Sequence, residues 1–174
     1  MLARDPGLLE QLERLTPSRY EGRVYRVVWS DRSPLQGSSG KSGRWNSPNG
    51  AFEILNTSVA SEGADAEFES FWSLFEQRPD RKALNWTLNA RLRLTVRLDF
   101  EALYALGVRQ AGYAYRDYTR TQEISDGLNY LGYHGVLVPS ARYACENLVV
   151  YMQNFDEACS LDEERSSVFQ WTAE

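Results

Sequence analysis

From Leu84 to Leu98 the chain alternates without a break. Leu84, Trp86, Leu88, Ala90, Leu92, Leu94, Val96 and Leu98 are apolar, and Asn85, Thr87, Asn89, Arg91, Arg93, Thr95 and Arg97 fall between them. Successive side chains of a strand point to opposite faces. The pattern therefore predicts one long strand, or two joined by a bulge, with one face buried and one wet. Arg91, Arg93 and Arg97 are expected on the wet face, where their charge would protect a sheet edge.

The rest of the chain gives shorter signals. Leu8, Leu9, Leu12 and Leu15 recur at helical spacing, and Phe68, Phe71, Trp72 and Phe75 do so within 64–75, where an aromatic stripe is expected to be core. Strands are predicted at 23–29, 52–55, 135–139 and 148–152, and further helices at 100–106 and 121–131. Between the first two strands runs SDRSPLQGSSGKSGRWNSPNG, a Gly-, Ser-, Pro- and Asn-rich stretch that reads as a disordered or functional loop. Strands and helices mix without a regular βαβ alternation, so the expected class is α+β, a compact single domain with mainly antiparallel strands. That domain spans 1–154. Beyond it, residues 155–174 form an acidic C-terminal tail, either frayed or docked through Val168, Phe169 and Trp171.

Several function classes drop out. Net charge is −5, carried by the tail, so the basic excess of a nucleic-acid binder is absent and no direct nucleic-acid binding is expected. No apolar run is long enough to span a membrane, the N-terminus lacks a secretory signal, and a cytoplasmic protein with no membrane partner is expected. Cys145 and Cys159 are too few for a disulfide framework and match no compact zinc spacing, so they read as reduced thiols. The single histidine, His134, lies in a turn-like GYHG and reads as a surface or structural residue; no metal ligands are expected. GSSGKSG misses the P-loop spacing. Of 19 cations only Lys41 and Lys82 are lysines, and guanidinium groups suit bidentate capture of phosphate or carboxylate.

Four pieces are suggestive together: Arg26 in the opening strand, Gly43-Arg44-Trp45-Asn46 at the end of the Gly/Ser loop, Glu67 in a helix, and Pro139-Ser140-Ala141-Arg142 after a strand, with Asn147 opening the next. In the order YR, GRWN, helix glutamate, GYHGVLVPSAR and NLVVY, the chain resembles the RES-domain family over residues 22–153. The resemblance implies a fold like that of ADP-ribosyltransferases. It also implies a bacterial toxin that consumes NAD⁺ as substrate, with no further cofactor, and that a cognate antitoxin or immunity protein neutralises. It places Arg26, Glu67 and Ser140 in catalysis. NAD⁺ contacts are assigned to Arg26, Arg44, Trp45, Asn46, Asn56, Ser140 and Asn147. Glu69, two residues from Glu67, is the alternative acid. Asn56 stands where the family usually has a tyrosine, keeping a hydrogen-bonding group without an aromatic face.

The chemistry accounts for the residue types. Cleaving the nicotinamide–ribose bond develops positive charge on the sugar, as glycoside cleavage does, and a carboxylate stabilises it. Nicotinamide leaves as a neutral group, so a chain poor in histidine can do this work. The outcomes open from sequence are NAD⁺ hydrolysis or phosphorolysis, ADP-ribosyl transfer to a protein, or a RES-like binding module without activity.

Overall fold

The computed structural model describes residues 3–172. Its strands are β1 (Ser18–Trp29), β2 (Ile54–Ser58), β3 (Ala83–Arg97), β4 (Gly135–Pro139), β5 (Glu146–Tyr151) and β6 (Ser160–Val168). The α-helices are α1 (Pro6–Glu13), α2 (Ser61–Trp72), α3 (Phe100–Ala105) and α4 (Thr119–Tyr130). The sheet order is β1-β2-β5-β4-β3-β6, and a further β1–β3 pairing closes the first five strands on themselves. Every pairing is antiparallel except β3–β4. The α+β class with mainly antiparallel strands is what the sequence predicts.

β3 is one continuous strand, as the alternation requires, but it is not an edge. β1 runs along one side, with β6 and then β4 along the other. Arg91, Arg93 and Arg97 do face outward, yet they protect no open edge. They pair instead with Glu21, Asp156 and Glu146. The wet face also differs from expectation. Asn85, Thr87 and Thr95 are buried. α2 lies over the start of the strand, and Asn85 Nδ2 donates to Asp65 Oδ1 at 2.8 Å and to the Ser61 carbonyl at 3.2 Å.

Residues set apart as a tail complete the sheet. β6 pairs with β3 from Leu84↔Val168 to Arg91↔Ser160. Phe169 is buried against Phe68, and Trp171 stacks on both. The segment docks through Phe169 and Trp171 but not through Val168, which is 50% exposed, and the strand pairing of β6 runs past the boundary at 154. The aromatic stripe expected over 64–75 splits, and Phe75 falls beyond the end of α2 at Trp72. Phe68 and Trp72 pack inward with Trp29, while Phe71 and Phe75 are 41% and 52% exposed. His134 is buried and is no surface residue. Cys145 and Cys159 are both unpaired. No helix among the described residues is long and apolar enough to cross a membrane.

The aromatic cluster of Trp29, Phe68, Phe169 and Trp171 holds α2 from behind. Truncating Phe169→Ala removes its β6-side anchor and should cost about 3–5 kcal/mol in denaturant unfolding. A loss under about 1 kcal/mol would show that β6 does not hold the helix.

Candidate functional site

The β4–β5 hairpin sets the site. Register Val138↔Asn147 and Pro139↔Glu146 brings Ser140 and Asn147 side by side at the hairpin end. The turn is fixed locally, since Ser140 N donates to the Cys145 carbonyl at 2.8 Å. α2 presents Glu67 to this pair. Ser140 Oγ donates to Glu67 Oε1 at 2.9 Å, and Asn147 Nδ2 donates to the same oxygen at 3.0 Å. The Arg142 and Tyr143 amides both donate to Ser140 Oγ at 3.2 Å. With its lone pairs so occupied, the hydroxyl has one use for its proton, which is Glu67. Among the described residues no donor engages Oε2.

The helix can come this close because of Gly63, one turn before Glu67. A Cβ there would stand 2.2 Å from Ser58 Oγ and 2.6 Å from Cys145 Sγ, so any side chain would push α2 off the sheet. Glu69 points elsewhere. Its Oε1 accepts from Thr172 N at 3.1 Å, and Arg78 lies 3.7 Å away. Of the two candidate acids, Glu67 is the one in the cleft.

Glu67 stands at the junction of two hollows. The larger, about 250 Å³, is lined by Arg44, Arg116, Arg142, Phe71, Tyr113 and Tyr118 among others. Arg44 lies over the Tyr113 and Tyr118 rings, 4.5 and 4.8 Å from their centroids. Burial lowers its pKa; Tyr113, Tyr118 and Glu67 oppose that shift, while Arg142 adds to it. Burial likewise pushes the Tyr113 phenol up to about 12, with Arg44 opposing. The smaller hollow, about 140 Å³, is lined by Arg26, Asn56, Ser58, Glu67 and Phe68. Asn56 and Glu67 border both. Burial lowers the Arg26 pKa to about 10, still well above neutrality, and its Nη1 is buried without a protein partner. A charged donor so placed is available to a ligand.

A family model described as the RES domain matches residues 16–172. The chain belongs to the RES-domain family. In overall shape this RES-domain chain is similar to a chain in the crystal structure of the M. tuberculosis MbcT–MbcA toxin–antitoxin complex. The TM-score is 0.80 at 20% identity, over 95% of this chain and 93% of that one. No curated protein matches in sequence.

Of the residues singled out in the sequence, Arg44, Asn56, Glu67 and Asn147 line the larger hollow, Ser140 joins them through its bond to Glu67, and Arg26 lies beyond Glu67 in the smaller one. Trp45 and Asn46 form a buried floor: Trp45 joins the main core, and Asn46 Nδ2 donates to the Ser38 carbonyl at 3.4 Å. Sequence reasoning missed Arg116, Tyr113, Tyr118 and Phe71. The only trace of the first three is the density of Tyr and Arg in GYAYRDYTR.

A buried, unpartnered cation weakens a fold. Replacing Arg26→Met, similar in length and apolar, should therefore stabilise the protein by about 1–2 kcal/mol. A destabilised variant in thermal or denaturant unfolding would show that Arg26 is already satisfied.

Proposed function

We propose that this protein is a toxin that cleaves NAD⁺ at the nicotinamide–ribose bond, transferring ADP-ribose to water or phosphate, and that a cognate antitoxin restrains it. The observation that carries the reading is the Glu67 carboxylate. One of its oxygens is clamped by Ser140 and Asn147, and it sits where a hollow lined by three guanidinium groups meets a second hollow holding an unpartnered arginine.

The residues divide the work by chemistry. Arg44, Arg116 and Arg142 suit the pyrophosphate, whose oxygens accept in pairs from a planar guanidinium. Stacking on Tyr113 and Tyr118 keeps Arg44 in place before substrate arrives, which reduces the ordering cost of binding. Glu67 Oε2 faces the ribose, stabilises the cation as the glycosidic bond breaks, and orients the 2′-hydroxyl or the attacking oxygen. Ser140 and Asn147 are positioning residues for that carboxylate. Arg26 donates to the ligand from the far side of Glu67. Asn56 offers no ring for the nicotinamide to stack on. Phe71, one helical turn after Glu67 and partly exposed in the same hollow, supplies an aromatic face instead.

The similarity to a chain of a toxin–antitoxin complex, together with the RES-domain match, supports a toxin role and a protein partner. Unrestrained NAD⁺ consumption would deplete the cell that makes the enzyme, and a bound protein covering the cleft would prevent it. Transfer of ADP-ribose to a protein is the second reading. It is favoured by the exposed Phe71, Tyr115 and Tyr143, which lie in the cleft wall or beside Arg116 and Arg142.

Purified protein incubated with NAD⁺, with and without phosphate, should release nicotinamide. Glu67→Gln should slow release about 10²–10³-fold, while Glu69→Gln should leave it within a few-fold of the parent. A fully active Glu67→Gln variant would end the assignment. Label from NAD⁺ retained on added protein would favour transfer over hydrolysis and phosphorolysis. Phe71→Ala should raise KM about tenfold with a smaller change in kcat, corresponding to the roughly 0.5–1.5 kcal/mol of an aromatic contact. An unchanged KM would remove Phe71 from substrate binding.

A further inference from the structure

Away from the cleft, three unlike donor side chains meet where β4, β5 and β6 come together. His134 immediately precedes β4, Asp156 lies in the turn after β5, and Cys159 immediately precedes β6. Cys159 Sγ is 3.2 Å from His134 Nδ1 and 3.5 Å from Asp156 Oδ1, while Asp156 Oδ2 is 3.4 Å from His134 Nε2. One donor atom from each residue can be chosen so that all lie within 4.8 Å of one another. We propose that His134, Asp156 and Cys159 form a binding site for a zinc-class divalent cation. His134 Nδ1, Cys159 Sγ and Asp156 Oδ1 would be its ligands, with water in the fourth position.

Bonds to zinc run to about 2.0–2.3 Å, so ligand atoms at tetrahedral angles stand roughly 3.4–3.6 Å apart. The spacings of 3.2 and 3.5 Å from the sulfur are already close to that frame. The donor set selects the metal, because a thiolate and an imidazole suit zinc and cobalt whereas calcium and magnesium take oxygen. Charge agrees as well. Thiolate and carboxylate together balance a dication, and the Arg93 guanidinium lies toward the other carboxylate oxygen, 3.9 Å from Oδ2.

The backbone holds these groups before any cation binds. His134 N donates to the Leu94 carbonyl at 2.7 Å, and the His134 carbonyl accepts from Tyr151 N at 2.9 Å. Ala158 N orients Asp156 Oδ1 at 2.9 Å, and Cys159 N donates to the Asp156 carbonyl at 3.0 Å. One contact is exchanged on binding: the Leu94 amide now donates to Nδ1 at 3.2 Å, and the cation takes that lone pair. His134 is buried and Cys159 partly buried, while Asp156 is exposed and opens the site to solvent. Occupancy would tie the start of β6 to the root of β4. β6 ends in the aromatic cluster behind α2, so the same cation would stiffen the support of Glu67 without touching the cleft.

Cobalt(II) added to the reduced protein is the direct probe. The expected result is a near-ultraviolet thiolate-to-cobalt absorption band that saturates at one equivalent and is displaced by zinc. The band should vanish in Cys159→Ser, persist in Cys145→Ser, and appear unchanged in the Glu67→Gln chain. Asp156→Asn, altered at an exposed side chain, should weaken cobalt binding about tenfold or more. Zinc should raise the melting temperature of the parent and not of Cys159→Ser. No band in the reduced parent, or a band that survives Cys159→Ser, would overturn the site. An Asp156→Asn variant binding as tightly as the parent would overturn the three-ligand assignment.

Discussion

The arrangement turns on one oxygen atom. Glu67 Oε1 accepts from Ser140 and Asn147 together, and those two residues stand side by side only because β4 and β5 run antiparallel with Val138 opposite Asn147. The clamp joins the helix to the hairpin and leaves the second carboxylate oxygen to the cleft. Everything behind it serves the same placement. Gly63 lets α2 approach the sheet, Asn85 ties its first turn to β3, and the aromatic cluster of Trp29, Phe68, Phe169 and Trp171 holds its back. Ser140 Oγ and Asn147 Nδ2 both donate to Glu67, while Asn147 Oδ1, like Asn85 Oδ1 behind the helix, is buried without a protein partner among the described residues.

The cleft itself is built against stability. It gathers Arg44, Arg116 and Arg142 around a single carboxylate, and Arg26 carries a buried donor with no protein partner. Like charges gathered without counter-charges raise the energy of the empty protein and lower it once an anion binds. By contrast, the outward arginines of β3 are each matched with an acid. Among the described residues the cleft arginines thus have no carboxylate within ion-pair distance, where the three on β3 each have one.

The sequence carried much of this and lost the rest for identifiable reasons. β3 was legible because its alternation is long, and its role as an inner strand was not, because alternation reports faces and says nothing of edges. β6 was invisible to periodicity. Its side chains from Asp162 to Val168 are all exposed, so it is held through its backbone by the free side of β3 and needs no apolar pattern of its own. The RES resemblance pointed to Glu67, Arg44, Ser140 and Asn147, which meet. It pointed equally to Trp45 and Asn46, which border the same hollow as its buried floor. Motif position identifies a segment but does not tell how deeply each of its side chains is buried. Tyr113, Arg116 and Tyr118 come from an irregular loop, where only the folded chain decides which side chains turn inward. Phe71 was read as core because helical spacing places it with Phe68 and Trp72, yet it falls at the rim of that face.

The central claim is that Glu67 faces the ribose carbon of NAD⁺ while the arginines hold its phosphates. A crystal structure with a non-cleavable carbocyclic NAD⁺ analogue tests this most directly. The account predicts Glu67 Oε2 within hydrogen-bond distance of the ribose-ring hydroxyls and the pyrophosphate on Arg44 and Arg142. An analogue bound with its pyrophosphate away from these guanidinium groups, or with its nicotinamide end remote from Glu67, would contradict it.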